Sequence, residues 1–170
     1  MKIDLIKFFK SADKVYPFNG EISPDAFDSK NDEFQIIEPI GYSGAIYKVD
    51  GSYIINADIQ YKYETKCARC FKNTVNEVNT SFSAKLEENH KPTEEEEDDD
   101  IIYYEEGILY LDKYILLEVT SSLPMKTLCD ENCKGLCDKC GADLNKERCN
   151  CEDDYIDPRL EKLKDFFLDE

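Results

Sequence analysis

Positive charge is in short supply in this chain. Its 170 residues include 21 Lys and Arg against 38 Asp and Glu, a formal net charge of −17. That balance excludes a general nucleic-acid coat, whose domains carry a basic stripe, and a protein that lies on anionic membrane surfaces. Long apolar runs are also missing. In the N-terminal MKIDLIKFFKSADK, Asp4, Lys7 and Lys10 break every apolar stretch, whereas a secretory leader needs about 7–15 apolar residues. Nothing in the chain approaches the roughly 18 consecutive apolar residues of a membrane-spanning helix. The expected compartment is the cytoplasm, where thiols stay reduced. Tryptophan is absent, and the single histidine, His90, stands beside Lys91 and Pro92 in a polar stretch, where it reads as solvated. A phosphate-cradling Gly-Lys loop, a dinucleotide fingerprint and a nucleophile elbow are all lacking. Together these absences point away from an enzyme and from a small-molecule substrate.

What is present is enough for a folded domain. Hydrophobic residues make up 41% of the chain, which rules out wholesale disorder. The length suits one domain with a small appendage. The expected fold class is α+β: a mainly antiparallel β domain, a helix after an acidic loop, and a small Cys-rich zinc-binding element at the C-terminus. The expected boundaries are 1–125 for the α+β domain, with a disordered acidic loop at about 88–106, and 126–170 for the Cys-rich element and a terminal helix.

The periodicities behind this are local. Residues 1–33 suggest a short strand and a helical turn before turn-rich sequence. Tyr53, Ile55, Ala57, Ile59, Tyr61 and Tyr63 alternate at period two, which places them on one face of a strand. Asp50-Gly51 joins that strand to the apolar run Ala45–Val49 as a hairpin turn. Phe82, Ala84 and Leu86 share a face of a later strand. Seven consecutive acids, Glu94 to Asp100, read as a solvated loop. Leu111, Ile115 and Val119 recur at helical spacing, with Asp112 as candidate N-cap and Pro124 as the stop. Asp157-Pro158 opens a terminal helix whose stripe is Leu160, Leu163 and Phe167.

The eight cysteines carry the specific chemistry. Cys67-Ala-Arg-Cys70 follows the long strand, and Cys129, Cys133, Cys137, Cys140, Cys149 and Cys151 cluster near the C-terminus. Cys137-Asp-Lys-Cys140-Gly141 has the form of a zinc knuckle: two thiolates converge on one ion, and the glycine turns backbone N–H groups toward the sulfurs. A closed zinc site needs about four ligands, and soft thiolates favour zinc over magnesium or calcium. Iron–sulfur ligation is the main alternative. The first choice of ligands is Cys137, Cys140, Cys149 and Cys151, with Cys129 and Cys133 as alternatives. Cys67 and Cys70 read as a structural pair or as part of a second site. Eight thiols equal two tetrads, but that count alone does not establish two ions. A thioredoxin-type use of Cys67 and Cys70 is disfavoured because that motif opens a helix in a βαβ unit.

The order of these features resembles the YceD family of large ribosomal RNA subunit accumulation proteins. The residues that carry the resemblance are the N-terminal MKIDL, Cys67-Ala-Arg-Cys70-Phe71, the acidic middle loop and Leu123-Pro124-Met125-Lys126. The Cys-rich form of the family adds Cys133-Lys134-Gly135-Leu136-Cys137, Cys140-Gly141, Leu144-Asn145, Cys149-Asn150-Cys151 and Ile156-Asp157-Pro158-Arg159-Leu160. The resemblance implies a bacterial, non-enzymatic role in the accumulation of large-subunit ribosomal RNA and ribosome biogenesis. Some members lack the C-terminal cysteines, so the resemblance implies a stabilising module there rather than the working site.

Local charge qualifies the overall acidity. Lys62, Lys66, Arg69 and Lys72 outnumber Glu64 and Glu77 across residues 61–80, and Tyr61, Tyr63 and Phe71 lie among them. Basic groups there could contact phosphate while aromatics stack on unpaired bases. The expected partner is large-subunit ribosomal RNA or a basic ribosomal or assembly protein, the latter steered by the acidic surface. Two other readings follow from the thiols: a zinc-thiol redox-sensing regulator, and an enzyme using the metal as a Lewis acid. The surplus of thiolates and the lack of nearby histidines count against the second.

Overall fold

The computed structural model of the chain describes residues 2–27, 34–88 and 101–151. His90, the acidic run 94–100 and the expected helix after Asp157 lie outside the described residues. The chain opens with β1 (Lys2–Asp4), α1 (Ile6–Lys10) and β2 (Val15–Ile22), then a 3-10 turn at Pro24–Ala26. There follow β3 (Gln35–Ile36), β4 (Ile40–Val49), β5 (Ser52–Lys66), β6 (Asn73–Glu88), β7 (Ile101–Tyr104), β8 (Ile108–Tyr110) and α2 (Leu111–Ser122).

One sheet dominates, in the order β2-β4-β5-β6-β7, with β3 also paired to β5. Its pairings are antiparallel except for β6 with β7, which run parallel from Lys85↔Ile101 to Glu88↔Tyr104. The strand-rich, mostly antiparallel architecture is as expected, but residues 101–104 are a correction. The sequence reading places them in the acidic loop; their apolar and aromatic side chains instead add a strand to the sheet.

The β4–β5 hairpin turns at Asp50 and Gly51, with φ of +48° and +84°. Two successive left-handed residues are what a two-residue turn needs to match strand twist, and an Asp-Gly pair tolerates both. The same period that put Ile55, Ala57, Ile59, Tyr61 and Tyr63 on one face buries all five. Phe82 is half-buried while Ala84 and Leu86 are fully buried beside them. Across that face lies α2, which buries Leu111, Ile115 and Val119. Tyr61 donates toward the Val119 carbonyl at 3.3 Å and pairs with the Ser122 hydroxyl at 2.9 Å. A buried tyrosine thus satisfies a carbonyl in the last turn of α2. Asp112 sits inside the first turn of α2 and Tyr110 takes the cap position, so the expected N-cap is displaced by two residues. No helix among the described residues is long and apolar enough to cross a membrane.

β5 and β6 are much the longest strands, 15 and 16 residues, paired in unbroken register from Tyr53↔Leu86 to Lys66↔Asn73. They carry the intervening turn, Cys67 to Lys72, to one end of the sheet. After α2, Leu123 is extended, and the chain returns to that same end.

Candidate metal centres

The turn between β5 and β6 is a knuckle. The Cys67 N–H donates to the Lys72 carbonyl at 2.9 Å, and the Phe71 N–H donates to the Cys67 carbonyl at 3.0 Å. Cys67 continues the inward parity of Tyr61 and Tyr63 and is fully buried. The C-terminal segment is stitched onto this turn by backbone bonds: Ala68 donates to the Thr127 carbonyl at 2.8 Å, and Leu136 donates to the Arg69 carbonyl at 3.2 Å. Thr127 is itself buried, its hydroxyl 3.1 Å from that of Tyr63.

These contacts gather four thiols from distant parts of the chain. The sulfurs of Cys67, Cys70, Cys129 and Cys133 all lie within 4.8 Å of one another. The Cys67–Cys133 pair is at 3.8 Å and the Cys70–Cys129 pair at 3.5 Å. A second set, Cys137, Cys140, Cys149 and Cys151, meets the same 4.8 Å limit. Its knuckle repeats the first: Cys137 donates to the Ala142 carbonyl and Gly141 to the Cys137 carbonyl, both at 2.8 Å. The structure thus brings together the four cysteines chosen first from the sequence. It places Cys129 and Cys133 with Cys67 and Cys70 rather than as alternatives in that set.

Some of the sulfurs accept hydrogen bonds from nearby N–H groups, as thiolates do. The Arg69 N–H points at the Cys67 sulfur at 3.4 Å, and the Asn145 amide Nδ2 points at the Cys133 sulfur at 3.5 Å. Burial pushes the Cys67 thiol up, but hydrogen bonds from the backbone of Arg69, Cys129 and Cys70 outweigh it and hold it at about 6. Backbone N–H groups of Cys140 and Lys139 hold Cys137 at about 7. Side-chain hydrogen bonding with Cys70 and then Cys133 pushes Cys129 up to about 12, and bonding with Cys140 does the same to Cys151. Crowded thiols cannot all ionise side by side, so some hold their protons. A cation relieves that repulsion. A zinc ion with four thiolates at roughly 2.3 Å sets its sulfurs about 3.8 Å apart, close to the two distances above. Either cluster could hold a metal ion.

The basic residues expected to face a partner have separate fates. Arg69 donates from its guanidinium to the Cys133 carbonyl at 2.7 Å, so it braces the first cluster. Lys62 pairs with Glu38 at 3.0 Å. Lys66 and Lys72 are exposed. Tyr61 and Tyr63 are 1% and 2% exposed and cannot stack on a base. The reason is the strand itself: alternation that buries Tyr61 and Tyr63 turns Lys62 to the opposite face. Phe71 alone of the three aromatics is open, at 66%. Sequence reasoning missed Met125 and Lys126, which the turn after α2 sets beside Phe71 in one groove. In the sequence, Pro124 reads as a helix stop and, with Leu123, Met125 and Lys126, as a carrier of the family resemblance, without a binding role for any of them.

Comparison with known proteins supplies the context. The family model described as large ribosomal RNA subunit accumulation protein YceD matches residues 55–167. That span takes in β5 from Ile55 onward, both cysteine clusters and all of the hairpin tip. A curated relative, the chloroplastic large ribosomal RNA subunit accumulation protein YCED homolog 1 of Arabidopsis thaliana, is 44% identical over 41 residues. The match covers 24% of this chain and 13% of that protein. No solved structure matches.

Proposed function

The chain belongs to the YceD family, and we propose that it supports accumulation of large-subunit ribosomal RNA as a non-enzymatic binding factor. In this reading it works in the cytoplasm on ribosomal RNA, or on a basic ribosomal or assembly protein, during assembly of the large subunit. The two cysteine tetrads hold zinc, and their task is to fix the β5–β6 tip against the segment after α2. The observation that carries this reading is the composition of the first tetrad. It takes two thiols from a hairpin turn and two from a segment about 60 residues later, a cross-link between elements rather than an open catalytic site. All eight donors are thiols, the set of closed structural zinc sites, whereas catalytic zinc keeps an open position.

Two measurements test it. Elemental analysis of the purified chain is expected to give two zinc ions per molecule; iron in their place would change the cofactor, and neither metal would remove it. Deleting the gene is expected to lower large-subunit ribosomal RNA relative to small-subunit RNA on sucrose gradients. An unchanged ratio would end the biogenesis reading.

A further inference from the structure

The two knuckles are equivalent in their backbone and differ at one informative residue. In each, the residue after the second cysteine donates to the carbonyl of the first. In the second knuckle that residue is Gly141, with φ of +74°; in the first it is Phe71, with φ of +57°. A left-handed φ costs a bulky side chain conformational energy that glycine avoids. Phe71 is not compensated by packing, since 66% of it is exposed. Neither the turn nor the core calls for a phenylalanine here, and such unrelieved strain is characteristic of functional positions.

What surrounds the ring indicates its ligand. Phe71 lines an open groove of about 590 Å³ together with Phe34, Met125, Lys66 and Lys126. Met125 is fully exposed, and both lysines are exposed. Lys72 follows Phe71 directly. The groove's acidic member, Glu64, accepts a hydrogen bond from the Asn73 amide at 3.0 Å. A flat ring between flexible cations is how sequence-tolerant single-strand sites are built. The chain as a whole carries a net charge of −17, which repels a polyanion from the acidic remainder of the surface and so confines it to this patch. A basic protein would be steered to the acidic surface and away from these lysines.

We propose that this groove receives an unpaired nucleotide of single-stranded RNA. The base stacks on Phe71, and Lys66 and Lys126 reach the flanking phosphates. The inference rests on the ribosomal RNA reading above and names its point of contact.

The test uses the full metal-loaded chain and a labelled single-stranded oligoribonucleotide of about 12 nucleotides, with a duplex as control. Fluorescence anisotropy is expected to show preference for the single strand. Phe71→Gly should weaken it about tenfold while keeping the metal and an equal or higher melting temperature, since glycine suits the left-handed turn. Phe71→Tyr should restore binding. Lys66→Gln and Lys126→Gln should each flatten the salt dependence by about one unit. A lysine that merely balanced the thiolates would instead alter metal affinity and leave RNA binding untouched, contrary to the proposal. Equal binding by Phe71→Gly and the unchanged chain would overturn it. So would a photocrosslinker at position 71 that captures only protein. Complementation separates the two levels: if deletion lowers large-subunit RNA and Phe71→Gly restores it fully, the groove proposal fails while the biogenesis reading stands. If deletion has no effect, that reading fails whatever the anisotropy shows.

Discussion

Asn145 does several jobs with one side chain. Its Oδ1 accepts from the Lys134 N–H at 2.7 Å, and its Nδ2 donates to the Asp143 carboxylate at 2.9 Å and toward the Cys133 sulfur at 3.5 Å. Asp143 is itself held at about 2 by Lys146 and then Asn145. The residue thus ties the turn of the second cluster to a ligand candidate of the first. Outer-sphere donors of this kind hold thiolates in place and typically change metal affinity by about 10–100-fold. Asn145→Ala is expected to lower affinity at the first cluster by at least about tenfold on that scale, read by chelator competition. Asn145→Asp should do worse, because it replaces a donor with a negative charge beside thiolates. Equal affinities in all three proteins would show the amide to be incidental. Neighbouring residues show why parts of the site were legible and parts were not. A C-x-x-C knuckle is a local signal, and both knuckles stand out from spacing alone. The partnership of Cys70 with Cys129 spans 59 positions, and no local pattern encodes it. Only the return of the chain after α2 does.

At the scale of the element, each cluster pairs a thiol of lowered pKa with one of raised pKa. A metal ion must displace the proton from any thiol whose pKa lies above the ambient pH. Affinity therefore falls as pH falls, and the slope steepens by one proton as pH passes below each thiol's value. Cys129 and Cys151, both at about 12, make each cluster proton-releasing throughout the neutral range. Cys137, at about 7, and Cys67, at about 6, add their protons only on the acidic side of neutrality. Acidification from pH 8 should thus release zinc from both clusters, as followed by a zinc-sensitive dye. Zinc retention that does not change with pH would contradict these assignments. The strands carry a separate prediction. A Cβ on Gly44 of β4 would run into the Asn56 carbonyl oxygen on β5 and into the Phe18 ring. Gly44→Ala should destabilise the fold by about 1–3 kcal/mol, the cost of overpacking, seen as a lower denaturation midpoint. The alternation on β5 made the buried face readable. The same alternation puts Lys62 and Lys66 on the opposite face, so the grouping of Tyr61 and Tyr63 with those lysines by sequence position does not survive in the fold.

For the molecule as a whole, the question is what metal ions at the two clusters would hold together. The hydrophobic core runs from Ile3 to Val119 and contains none of the eight cysteines. Its favourable burial therefore does not pass through either cluster, and the sheet should outlast the metals. The segment after α2 differs. Past Thr127 it buries chiefly cysteines, and its ties to the hairpin include a few backbone bonds at Ala68 and Leu136. A segment with so little apolar burial is one that a bound metal would order. Stripping the metal with a chelator under reducing conditions is thus expected to give partial unfolding. The far-ultraviolet strand signal should persist, while hydrogen exchange accelerates across residues 128–151 and at the β5–β6 turn. Within that turn the Ala68 amide is a sharp reporter, since its acceptor is the Thr127 carbonyl at the boundary between the two regions. If it exchanges early while Ile55 and Ile59 stay protected, the clusters serve to fix the hairpin tip on a sheet that folds without them. If the strands lose protection together with it, the metals belong to the folding core, and the division of labour argued above is wrong.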